Sequence, residues 1–79
     1  MIDMSTMSDD DLLLMRSMSI SYTRSCNEIA TRRRQEFAET GKLYVQALVL
    51  YAERMAKRGH EMYVAVCAEI DKRPSMVLG

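Results

Sequence analysis

The sequence predicts an all-α fold: an antiparallel hairpin of two long helices, the second open to a break at Gly59, that dimerises into a four-helix bundle. Three observations lead there. No glycine or proline occurs before Gly41, so nothing interrupts a helix over that stretch. Its apolar residues recur at Met15, Met18, Tyr22, Cys26, Ile29 and Phe37, with Arg33 as the one interruption, a spacing near the helical period. Three glycines and one proline in 79 residues supply too few turns for an all-β sandwich or barrel.

Residues 1–7 read as a flexible arm ahead of a single domain over residues 8–73. Ser8 is followed by Asp9, Asp10 and Asp11, a serine N-cap with carboxylates at the positive end of the helix dipole. The first helix therefore runs over about 8–39. Arg24–Glu28, Glu28–Arg32 and Arg32–Glu36 stand four residues apart with opposite charge and are expected to pair on its surface. Thr40-Gly41 marks the turn, with glycine able to take the left-handed conformation that ends a helix and threonine able to cap the next. A connection this short joins antiparallel neighbours.

The second helix starts near Lys42 and runs to about residue 73, ahead of Pro74. Gly59 leaves two readings, one helix or two. A stripe through Tyr44, Leu48, Tyr51, Met55, Gly59, Met62, Val66 and Ile70 keeps helical phase across the glycine and favours one. With the turn at 40–41, residue i faces roughly residue 81 minus i, so Tyr22 falls opposite Gly59. A large side chain over the facing glycine gives Gly59 a reason to sit inside a helix, where it costs about 1 kcal/mol relative to alanine. After Pro74 the apolar segment 75–79 either frays or docks as a short extended tail.

Composition excludes most function classes. Lys+Arg and Asp+Glu are both 11, which suits no general polyanion binder. The chain is too short for a Rossmann domain or a TIM barrel. The start of the chain, Met1 to Asp11, lacks the basic and apolar regions of a signal peptide. The longest mostly apolar run, Leu43 to Ala52, is too short to span a bilayer. Cys26 and Cys67 make no disulfide framework, and with eight methionines suit a reducing, cytoplasmic setting. His60 with Cys26, Cys67, Glu61 and Glu69 fits no closed zinc spacing. On the hairpin register the two cysteines stand about 12 residues, roughly 18 Å, apart. No nucleophile, base and orienter converge, so no catalytic, cofactor or metal site is expected.

What remains is surface. Leu43 to Ala52 is apolar almost all round, more than one facing helix can shelter. Leu43, Val45, Leu48, Val49, Leu50, Tyr51 and Val64 are therefore expected at a dimer or partner interface. Met15, Met18, Met55, Met62, Tyr44, Tyr51 and Tyr63 read as core by spacing, with part of that surface suited to an adaptable docking face. Arg24, Arg32, Arg33, Arg34, Lys57 and Arg58 form a candidate charged patch, with Arg33 on the apolar stripe running its stem along the core. The expected role is a non-enzymatic interaction module that pairs with itself and with a larger protein. It would be an adaptor or inhibitor of the size common among phage and bacterial accessory factors. A small dimeric DNA-associated regulator using Arg32–Arg34 is the alternative, although interleaved glutamates make nucleic acid the less expected partner.

Overall fold

The computed structural model describes residues 3–77. It is an antiparallel pair of long helices, α1 (Asp9–Thr40) and α2 (Leu43–Asp71), preceded by a 3-10 turn at Met4–Thr6 and followed by a short helix α3 (Pro74–Val77). α2 passes through Gly59 without a break. Ser8 caps α1 as its sequence indicates, its Oγ accepting from the Asp11 amide at 3.1 Å. At the other end Gly41 adopts φ +66°, and its N–H donates to the Phe37 carbonyl at 2.7 Å. This left-handed cap satisfies a carbonyl that the helix leaves free. Thr40 does not cap α2, contrary to expectation. Its hydroxyl donates back to the Glu36 carbonyl at 2.9 Å, and Lys42 occupies the α2 N-cap with no side-chain hydrogen bond.

The seam between the helices is made largely of small residues. Leu12, Ser19, Cys26 and Ala30 are buried on α1, and Val45, Val49, Ala52, Ala56, Gly59, Val66 and Ile70 on α2. With half-buried Tyr63, the α2 positions step by four and three in strict alternation. That is the 3.5-residue repeat of a coiled-coil seam. Of the stripes expected from the sequence, Cys26, Gly59, Val66 and Ile70 do lie in the seam, and the rest stand at its flank or one column away. Met18, Tyr22 and Ile29 of α1 and Tyr44, Leu48 and Tyr51 of α2 are exposed. The physical reason is backbone approach. Alanine, serine and glycine let two helices come close enough to interlock, and a column of methionine and tyrosine at the same place would hold them apart.

The register agrees with the hairpin reading. Gly59 faces Tyr22 and Thr23, and a Cβ at position 59 would collide with Thr23 Oγ1 and lie 3.0 Å from Tyr22 Cδ1. Ser19 is buried at no hydrogen-bond cost because its hydroxyl donates to the Met15 carbonyl at 2.8 Å, a local bond open to serine inside a helix. Thr23 Oγ1, by contrast, is buried with no partner.

The open end is built differently. Leu12, Val66 and Ile70 form a cluster covered by Met4, Met7, Met15, Met62 and Met76. Where the sequence suggests a free arm and a frayed or extended tail, Met4, Met7 and Met76 lie against this cluster, and Pro74 opens a helical turn. Residues 78 and 79 of that tail lie outside the described residues. Arg73 ties the end together. It donates to Asp9 Oδ1 at 3.0 Å, to the carbonyls of Met4 and Ser5 at 2.9 and 3.3 Å, and to Glu69 Oε1 at 3.3 Å.

The Cα atoms occupy 52 × 24 × 14 Å with a radius of gyration of 16.4 Å. A compact domain of this length has a radius near 12 Å. The accessible surface is 5888 Å², against about 4,900 Å² for a compact monomer of this mass. The molecule is a slab one helix thick, with two broad faces.

Candidate functional site

The two faces differ in chemistry. On one, a groove along the seam is lined by Leu14, Met15, Met18, Tyr22 and Met62, with Asp11 and Arg58 at its edge. Ile29 lies two turns beyond Tyr22 on the same side of α1, since residues seven apart nearly superimpose. Tyr51 stands eleven residues, three helical turns, before Met62 and so on the same side of α2, and Leu48 and Tyr44 precede Tyr51 by three and seven residues. The result is a diagonal apolar line. It starts at Tyr44, Leu48 and Tyr51 on the turn half of α2 and crosses to Ile29, Tyr22, Met18 and Leu14 on α1. Met18 and Tyr51 keep 61% and 60% of their surface in water, so these are large side chains on display rather than core.

The other face is polar along its middle. Arg24, Asn27, Glu28, Thr31, Arg32 and His60 line its groove, with Ile20 and Tyr63 beside them. The difference follows from the seam geometry: with small residues turned inward, the columns flanking them become the outer faces, and this second flank mixes Leu13, Ile20 and Tyr63 with the charged and amide side chains.

The expected interface set is divided by this arrangement. Val45 and Val49 are buried in the seam and cannot meet an external partner, because a second helix would have to displace α1 to reach them. Leu48 and Tyr51 lie on the apolar line. Leu43, Leu50 and Val64 are exposed but point elsewhere: Leu50 follows Leu48, and Val64 follows Met62, by two residues, about 200° around the helix. Leu14, Met18, Tyr22 and Ile29 belong to the apolar face and are absent from that set. The signal on α2 is the unbroken four-three alternation from Val45 to Ile70; on α1 it is the column of Leu12, Ser19, Cys26 and Ala30, spaced by seven, seven and four, whose flank these four residues occupy.

The arginines are also dispersed. Consecutive helical residues step by about 100°, so Arg32, Arg33 and Arg34 project in three directions. Arg33 pairs with Glu36 on its own helix, and Arg34 reaches Glu53 of α2 at 3.1 Å. Arg24 and Arg32 line the polar groove, Arg58 edges the apolar one, and Lys57 is exposed. The expected Arg24–Glu28, Glu28–Arg32 and Arg32–Glu36 pairs are not among the ion pairs of the described residues; Arg33, one residue nearer, takes Glu36 instead.

Two tyrosine–cysteine pairs sit one turn apart on their helices. Desolvation, followed by the hydrogen bond with Cys26, holds the Tyr22 phenol above its ordinary pKa. Tyr63 is raised first by its hydrogen bond with Cys67. A tyrosine phenol is neutral at neutral pH in any case, so the apolar face carries no charge of its own at Tyr22. Cys26 is buried and Cys67 half-buried, both as free thiols. Among the described residues no three His, Cys, Asp or Glu side chains converge as metal ligands, and no helix is long and apolar enough to cross a membrane. Comparison with protein-family models, with curated proteins and with solved structures finds no match to this chain.

Proposed function

We propose that the chain is a non-enzymatic protein–protein interaction module, a small adaptor or inhibitor that binds and modulates a larger protein. The observation that carries this reading is the diagonal apolar face of Leu14, Met18, Tyr22, Ile29, Leu48 and Tyr51, on a slab too thin to hide it. Methionine and tyrosine suit such a role, the one adapting its shape and the other giving rigid area with a polar tip. The complementary shape is a pair of helices laid over the face, completing a four-helix bundle. A homodimer is the form that supplies those helices from the chain itself.

The DNA-regulator alternative draws less support. The three consecutive arginines point to three sides of α1, and two of them are engaged by Glu36 and Glu53, which leaves no continuous basic stripe for a phosphate backbone.

The test compares captured partners. Wild type, Leu48→Asp and Leu50→Asp chains are used as bait in extract from the native cell. Leu48→Asp should lose the partner that wild type retains, and Leu50→Asp, on the other side of α2, should keep it. Equal capture by all three baits counts against the face as the docking surface.

A further inference from the structure

Resting on the reading of this face as a docking surface, we infer that in the free protein its occupant is a second copy of the chain, which a larger partner would displace, laid antiparallel so that the turn of one copy covers the open end of the other. Three features carry the inference. The first is area. The surface exceeds that of a compact monomer by about 1,000 Å², and a standard stable interface needs about 800 Å² from each partner. The excess of one chain therefore matches what one copy gives to a dimer.

The second is one-sidedness. The opposite groove sets Arg24, Glu28, Arg32 and His60 among Ile20 and Tyr63, charges that a further apolar slab would strip of water with nothing in return, so apolar stacking ends once two slabs have met. A face repeated on both sides would build a filament; a face on one side closes at two copies, as an isologous two-fold interface does. The apolar line crosses about 9 Å between helix axes over a length of roughly 36 Å. Two such lines superimpose when the hairpins cross at about 30°, within the scatter of the 20° class that four-helix bundles use.

The third is charge, which selects the orientation. Asp9, Asp10, Asp11, Glu69 and Asp71 outnumber Lys72 and Arg73 at the open end, and Arg32, Arg33, Arg34 and Lys42 outnumber the acids near the turn. Open end over open end sets like charge on like, whereas turn over open end sets opposite charges together. Counting residues from the turn, Lys42 of one copy then aligns with Asp11 of the other.

The test uses the purified full chain. Light scattering at tens of micromolar should give twice the 9.1 kDa chain mass. Carbodiimide should join Lys42 to Asp10 or Asp11, a bond that must run between copies because these residues sit at opposite ends of a 52 Å hairpin. Leu48→Asp and Tyr51→Asp should halve the mass and abolish the cross-link, with Leu50→Asp altering neither. A wild-type mass of 9.1 kDa overturns the inference while leaving the face free for a different protein. A dimer without the Lys42 cross-link overturns the orientation. A dimer that Leu50→Asp splits and Leu48→Asp spares overturns the assignment of the face itself, and with it the proposed docking surface.

Discussion

At the middle of the hairpin, the register sets Ser19, Thr23, Cys26 and Ala30 against Ala52, Ala56 and Gly59. At the open end, Leu12 meets Val66 and Ile70 beneath five methionines. The middle contributes little apolar area, because alanine and glycine have few methylene groups to remove from water, each worth about 0.8 kcal/mol. What it contributes is close approach and a fixed register, and it has no room for added volume. The open end buries more apolar area with flexible side chains that refill gaps, and it fixes geometry only loosely. The same two helices are thus held by shape in one region and by adaptable burial in the other. Because the middle turns its small residues inward, its large ones form the outer face. The interaction surface and the tight seam are two results of one choice of side chains.

The largest effect expected from this contrast is at Gly59. Gly59→Leu drives a side chain into Thr23 and Tyr22, where even a bare Cβ has no space, and overpacking of this severity costs about 3 kcal/mol. Gly59→Ala is the sharper variant. It gains up to about 1 kcal/mol of helix propensity yet should still lose stability, since the gain is smaller than the 1–3 kcal/mol typical of overpacking. Urea unfolding measures both. A Gly59→Ala chain more stable than wild type would mean that the middle yields as readily as the end.

Leu12→Ala at the open end should cost less, about 2–3 kcal/mol. This is the low part of the range for leucine truncation, because Met4, Met7, Met15 and Met76 can collapse into the space. A loss above that of Gly59→Leu would reverse the comparison.

How far the sequence announces this arrangement depends on whether the signal is local or reciprocal. The Ser8 cap and the Gly41 turn follow from short-range chemistry and are readable directly, whereas the continuity of α2 through Gly59 is favoured by phase without being decided. The meeting of Tyr22 with Gly59 is readable too, because a two-residue turn leaves the register little freedom. The seam itself misleads. Choosing the column richest in large apolar residues picks Met18, Tyr22, Leu48 and Tyr51, whereas two helices at close range select Ala30, Ala52 and Ala56. Hydrophobicity ranks side chains one at a time, and seam packing depends on the sum of two facing volumes. Arg73 is the least legible residue. Its partners Asp9 and Met4 are 64 and 69 residues away, and nothing in Lys72-Arg73-Pro74 distinguishes a structural clamp from a solvated charge.

That clamp gives the smallest effect and the most selective one. The Arg73 guanidinium, with the Ser75 hydroxyl as the second donor, holds the Asp9 carboxyl below its ordinary pKa, and Ser5 does the same for Asp3. A carboxyl whose pKa is depressed by folding binds its proton less readily than in the unfolded chain. Its contribution is complete above the ordinary aspartate value and fades as pH falls through the lower, folded value. Acid should therefore loosen the open end before the middle, where the cross-helix carboxylate, Glu53, pairs with Arg34 at an exposed edge of the seam and contributes little to holding the helices together. The exposure of these groups and screening by salt keep the effect small. The methyl resonances of Met4, Met7 and Met76 report on it. From pH 6 downward they should move together toward unfolded positions, with a midpoint below the ordinary aspartate range, as the Ala30 and Ala52 methyls stay in place. Arg73→Gln should put the three methionines near their acid positions already at pH 6 and flatten their titration. Alanine methyls that move in step with the methionines would show that the two regions open as one, and the distinction between a rigid middle and an adaptable end would not hold.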